Sequence, residues 1–198
     1  VTVMFSFTAF GSQRGPTLLS ANAVLLQFFT LVSYVMDGFA YAGESVGGHL
    51  VGAGSVERFR RLVGALFLWG TVLSLLFALA YALGGTALIA LFTDDVALRR
   101  AAETFLPYAV AIPPISMAGF LLDGLFVGTT ATSGMLIGVA AAAAGFFTVH
   151  TLLPATLGNH ALWIAFLTYL ALRGIVQGLQ LPGIVRRSFA LTAQTSRR

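Results

Sequence analysis

An all-α, polytopic transmembrane helix bundle is the fold this sequence predicts, and three observations predict it. Hydrophobic residues make up 58% of the 198 positions and charged residues only 9%, with a mean hydropathy of +0.90. A water-soluble domain carries about a quarter charged residues, so this chain has too few to cover a surface in water. The apolar residues also fall in runs of twenty or so rather than in short amphipathic stripes, and Arg-bearing segments separate the runs.

A bilayer core of about 30 Å takes about 20 helical residues. By that measure residues 1–10 are the end of one apolar helix, closed by Gly11-Ser12-Gln13-Arg14-Gly15-Pro16. Full spans follow at 18–50, 62–92, 103–128, 135–153 and 160–182, giving one partial and five complete crossings in a single transmembrane domain covering 1–198. The span at 103–128 contains Pro107, Pro113 and Pro114 and is expected to break there. The spans must be helical: a backbone facing lipid has to satisfy its own hydrogen bonds, and these runs are twice the length of a barrel strand and do not alternate. The chain opens Val-Thr-Val inside an apolar stretch, so its first helix is expected to be truncated.

Every basic residue is Arg. Arg58, Arg60 and Arg61 lie between two spans, and Arg186, Arg187, Arg197 and Arg198 follow the last. An even number of crossings separates the two groups, so they share one side. The other side holds Arg14, Arg99 and Arg100, near Asp94, Asp95 and Glu103. The arginine excess predicts that the first side, with the C-terminus, is cytoplasmic. Charges dispersed between apolar runs do not make a nucleic-acid face. The absence of cysteine excludes disulfides and thiolate metal sites, and His49, His150 and His160 are too scattered to predict a metal centre. His150 and His160 are expected at the interface and the outer surface, His49 beside Glu44, and Asp94-Asp95 as a helix cap. Glycine pairs four apart (Gly43/Gly47, Gly48/Gly52, Gly124/Gly128, Gly134/Gly138, Gly174/Gly178) predict close helix packing.

Four ionisable residues fall inside spans: Asp37, Glu44, Asp123 and Arg173. Each costs about 2.5–3.5 kcal/mol at the centre of a membrane helix, and such residues normally face a bundle interior or a watery path. Asp37 and Glu44 are two turns apart on one helix face, about 10 Å along the axis, which suits a cation or proton path and also a shallow exit with Glu44 solvated near the headgroups. Asp123 lies about two turns beyond the proline pair. Arg173 is too deep to reach the headgroups and is expected to neutralise one of the three acids. An intramembrane aspartyl protease would need a Gly-x-Gly-Asp signature, and Asp123 follows Leu121-Leu122 instead; no Gly-x-Ser-x-Gly occurs either.

Several stretches resemble the multidrug and toxic compound extrusion family, in its DinF-like branch: Ser20-Ala21-Asn22-Ala23-Val24-Leu25-Leu26-Gln27, Tyr34-Val35-Met36-Asp37-Gly38-Phe39-Ala40-Tyr41-Ala42-Gly43-Glu44, Leu121-Leu122-Asp123-Gly124-Leu125-Phe126-Val127-Gly128-Thr129-Thr130, Gly158-Asn159-His160-Ala161-Leu162-Trp163 and Ala171-Leu172-Arg173-Gly174. The resemblance implies the C-terminal six-helix lobe of a two-lobe transporter in a bacterial inner membrane, with the N-terminal lobe as its missing partner. It implies export of small amphipathic or cationic compounds by cation antiport, Asp37 and Asp123 lining the cavity, and no cofactor. Residues 1–17 hold no acid where sodium-coupled members carry a Glu, which favours the proton as coupling ion. The loop after Thr130 reads Ala131-Thr132-Ser133-Gly134 where the branch usually has arginines. The alternatives are a lipid-linked precursor flippase of the same superfamily and a half-transporter that moves nothing; a flippase cavity would hold several basic groups, and Arg173 alone lies in a span.

Overall fold

A computed structural model describes residues 2–195, with side chains to position 190, and among these every regular element is helical. Arg197 and Arg198 lie outside the described residues. The helices are α1 (Thr2–Ser12), α2 (Pro16–Gly52), α3 (Val56–Phe92), α4 (Val96–Gly128), α5 (Thr132–Leu152) and α6 (Asn159–Thr195), with a single 3-10 turn at Ala155–Leu157. Five of them, α2 to α6, are long and apolar enough to cross a membrane.

The helices outrun the predicted spans. The Arg58–Arg61 segment, expected as a loop, forms the first turns of α3, and the connection shrinks to Ala53-Gly54-Ser55. Gly54 takes a left-handed φ of 66°, and its N–H returns to the Val51 carbonyl to close α2. The tail after 182 is likewise helical: α6 runs on through Pro182, and Phe189 packs edge-on against the buried Phe59 of α3 at 5.6 Å. Hydropathy ends a span where charge begins, but backbone hydrogen bonding continues into the interface.

α4 is also uninterrupted, against the expected break at Pro113-Pro114. The reason is its position. Its apolar window is 61% buried, against 17% for those of α3 and α5, because α4 packs on α2, α3 and α6 at once. Neighbouring helices hold the chain in register where the prolines remove hydrogen bonds, and Ser116 Oγ donates to the Pro113 carbonyl at 3.5 Å.

The most extensive packing is between α2 and α4. A Cβ on Gly124 would collide with the Ala40 carbonyl, and one on Gly128 with the Glu44 carbonyl, so the two backbones touch. Gly43 faces Leu66 and Leu125, and Gly134 and Gly138 face Gln180 and Gln177. Gly52 faces open space, so its pairing with Gly48 is not a packing motif.

The end that carries Arg14 is tied by polar bonds. Asn22 and Asn159 exchange amide hydrogen bonds of 2.9 and 2.8 Å, and Trp163 Nε1 donates to Asn22 Oδ1 at 3.0 Å. All three are buried, and the set joins α2 to α6. Asp95 caps α4 by accepting from the N–H groups of Ala97 and Leu98, while Asp94 pairs with Arg99 at 3.0 Å. His160 is not at the surface as expected: it is half-buried, 3.0 Å from the Tyr108 hydroxyl and against the Phe105 ring. His150 stacks on Phe10 at 4.5 Å.

Gly124→Ala is expected to destabilise the chain by about 1–3 kcal/mol, the usual cost of overpacking, whereas Gly64→Ala, with nothing near its missing Cβ, is expected to leave stability unchanged or raise it. Thermal unfolding of both variants in detergent checks this; equal midpoints would mean that α2 and α4 do not touch at Gly124.

Candidate functional site

The α4–α6 contact carries the charged residues. Arg173 and Gln177 stand one turn apart on α6 and so share a face. Both reach Asp123 of α4. The Arg173 guanidinium forms an ion pair with Asp123 Oδ2, and Gln177 Nε2 donates to Asp123 Oδ1 at 2.6 Å. The arginine and aspartate side chains are only 16% and 14% exposed, and Gln177 is wholly buried. Both carboxylate oxygens are therefore engaged, each by a donor from the neighbouring helix.

Two residues of α4 shape the seat of the guanidinium. Phe120, one turn before Asp123, lies under it with 5.3 Å from Arg173 Cζ to the ring centre. Gly119 lets the arginine stem run along the helix: a Cβ there would stand 3.4 Å from Cγ and Cδ of Arg173. The set is satisfied at the carboxylate and incomplete elsewhere. Arg173 Nε, Gln177 Oε1 and, one turn further, Gln180 Nε2 are buried without a hydrogen-bond partner among the described residues. Such atoms are costly in a low-dielectric interior unless water or another group reaches them.

Asp37 of α2, the helix packed most extensively on α4, is half-buried and makes no hydrogen bond or ion pair among those described. With Asp37 and Asp123 ionised and Arg173 charged, the set sums to one net negative charge. Glu44 stands apart: it is half-buried two turns along α2, its carbonyl lies against Gly128, and its side chain makes no hydrogen bond or ion pair among those described. His49 is exposed. Of the four intramembrane ions read from the sequence, the structure brings Asp123 and Arg173 into contact and joins neither Asp37 nor Glu44 to them by a hydrogen bond or ion pair among those described. Gln177 was missed. Its signal was the spacing of four from Arg173, which puts both on one face of α6.

Among the described residues no group of three or more His, Asp or Glu is placed to hold a metal ion.

Comparison with known proteins bears on the whole chain. DNA damage-inducible protein F of Escherichia coli (strain K12) is 37% identical over 182 residues, covering 92% of this chain and 39% of that protein. Two plant proteins of Arabidopsis thaliana are more distant: Protein DETOXIFICATION 43, 26% identical over 170 residues, and the chloroplastic Protein DETOXIFICATION 45, 22% identical over 171 residues. Each match covers 84% of this chain and 32% and 30% of the relative. The chain therefore spans about two fifths of the bacterial relative and about a third of the plant ones. No solved structure matches. The family MatE matches residues 1–153, from α1 to the end of α5. On the family match and the bacterial relative together, this multi-pass membrane chain belongs to the MatE family, a family of transporters and not of enzymes.

Proposed function

We propose that the chain is one lobe of a secondary exporter that moves small amphipathic or cationic solutes out of a bacterial cell in exchange for a cation, with the proton as coupling ion. The observation that carries this reading is the Asp123–Arg173 pair held between two membrane helices, with Gln177 on the second oxygen and a further carboxylate, Asp37, within the span of α2.

The chemistry follows from the net charge of the set. One negative charge in excess attracts one cation, whether a proton or a cationic solute, and both cannot be accommodated without restoring a charge imbalance. A proton on Asp123 cancels its charge and releases Arg173 from the pair. Gln177 suits both states. Its amide nitrogen donates to the ionised carboxylate, and after rotation its oxygen, now without a partner, accepts from the protonated acid. Proton binding and solute binding then compete through one ion pair, which is the requirement for exchange. The second lobe, completing the cavity, is part of the proposal, as is a cytoplasmic C-terminus, supported by the excess of arginine at that end.

The test is cation-dye movement in inverted membrane vesicles carrying the complete protein, under an imposed pH gradient and then a sodium gradient. Dye movement driven by the pH gradient alone is the expected result. Movement with sodium alone would overturn the coupling ion, and none with either, from inserted protein, would favour the half-transporter or the lipid-linked precursor flippase.

Asp123→Asn is expected to lower pH-driven transport by about tenfold or more, the worth of one hydrogen bond to a charged group at ~1.5–3 kcal/mol, while the protein still inserts. Unchanged transport would remove Asp123 from the mechanism. Arg173→Leu is expected to cost more stability than Asp123→Asn, about 3–5 kcal/mol, because it strands a buried carboxylate. The double variant Asp123→Leu/Arg173→Leu is expected to recover most of that stability and none of the transport, read by thermal unfolding alongside the dye assay.

A further inference from the structure

At the end of the bundle opposite Arg14, α3 and α6 enclose a cavity of about 270 Å³. Two arginines line it, Arg60 from α3 and Arg186 from α6, and its remaining wall is apolar, including Val63, Leu181, Pro182 and Val185. No carboxylate is among the lining residues. The Phe59–Phe189 contact, with Phe59 next to Arg60 and Phe189 three residues past Arg186, clamps the two helices so that the guanidinium-bearing segments cannot drift apart.

The fold brings two like charges to one opening without neutralising them. Three of the described arginines find acids, Arg61 with Glu57, Arg99 with Asp94 and Arg173 with Asp123, while Arg14, Arg58, Arg100 and Arg187, like Arg60 and Arg186, form no ion pair among the described residues; what sets Arg60 and Arg186 apart is that they line one apolar-walled opening together. Arg60 and Arg186 are exposed and have no acidic partner among the described residues. Two guanidinium groups at one mouth repel unless an anion lies between them, and guanidinium groups bind phosphate oxygens in bidentate fashion. The position fixes what kind of anion. The apolar runs begin at Leu62 on α3 and end at Pro182 on α6, so the arginines stand at headgroup level and the apolar wall at the level of the upper acyl chain. A free phosphate would leave that wall uncovered, and a neutral lipid would leave the arginines unpaired.

We infer that this cavity between α3 and α6 is a binding site for an anionic phospholipid, its phosphate held between Arg60 and Arg186 and the start of one acyl chain lying along Val63, Leu181, Pro182 and Val185. The residues of α6 that line it, Leu181 to Arg186, follow Arg173 by about two turns or more, and the site requires no transport step.

The experiment is native mass spectrometry of the complete protein in detergent, titrated with phosphatidylglycerol and with phosphatidylcholine of the same acyl chains. The wild type is expected to retain the anionic lipid about thirtyfold more tightly, each of the two arginines near the headgroup contributing about fivefold. Arg60→Gln/Arg186→Gln is expected to remove the preference, each single variant to remove part of it, and Arg60→Lys/Arg186→Lys to keep part. The charge-matched control Arg58→Gln/Arg100→Gln is expected to keep all of it. Equal retention of both lipids by the wild type would overturn the site. So would a control that loses as much as the Arg60/Arg186 double variant, since that would reflect overall charge alone. Full displacement of phosphatidylglycerol by millimolar inorganic phosphate would overturn the lipid as occupant and leave a free-anion site.

Discussion

The backbone contact between α2 and α4 at Gly124 and Gly128 is the constraint on which the rest of this structure depends. In lipid, helices gain little by hiding apolar side chains from one another, so association rests on close van der Waals contact and polar bonds. Two glycines one turn apart let α4 touch the α2 backbone at Ala40 and Glu44. That contact sets the axial register of the pair. Ala40 lies one turn after Asp37, and Gly124 directly follows Asp123, so the two aspartates come to the same depth. Because successive residues of a helix point about 100° apart, the step from Gly124 back to Asp123 also turns the carboxylate away from α2 and toward α6. The dipeptide Asp123-Gly124 thereby docks one neighbour with its glycine and engages another with its acid.

The ion pair is a poor choice if stability is its purpose. Desolvating a carboxylate and a guanidinium costs several kcal/mol each, and well-packed apolar residues in the same volume usually do as well or better. The arrangement also leaves Arg173 Nε and Gln177 Oε1 without partners among the described residues, which a purely structural network avoids. Those unmet bonds make sense where the protonation state changes, because a network complete in one state is incomplete in the other.

The sequence made the helical architecture and the membrane legible, because a long apolar run has no other solution in lipid. Helix ends were not legible: Arg58–Arg61 and the segment after Pro182 read as loops because hydropathy falls, yet both are helical since the interface solvates charge without disturbing the backbone. The Pro113-Pro114 break failed for a tertiary reason, the packing of α4 on three helices, which no local rule contains. At the site, the four ions announced themselves by their cost in a span. Which acid Arg173 would meet depended on helix–helix register, set by glycines whose partners are scattered through the chain. Gln177 carried no alarm because it is uncharged and the search for costly groups in a span was a search for ions, and His160 was placed outside because its partner Tyr108 lies on another helix.

The three levels of α6 are held in different ways, and this bears on how a proton at Asp123 would be felt. At the end near Arg14, Asn159 and Trp163 bond to Asn22 in a buried set in which the two amides satisfy each other, so that end is locked to α2. In the middle, α6 meets α4 through charge, with unmet polar atoms on both Arg173 and Gln177. At the far end, Phe189 rests on Phe59 of α3 beside two unneutralised arginines. A change of charge at Asp123 cannot loosen the amide lock, which contains no titratable group. It acts where α6 is least satisfied, at Arg173 and Gln177, whose buried Nε and Oε1 have no hydrogen-bond partner among the described residues. Beyond that level α6 is held again, by Phe189 on Phe59 and by Ser188 Oγ donating to the Thr129 carbonyl at 3.4 Å, so a proton at the ion pair acts on an incompletely satisfied level between two held ends.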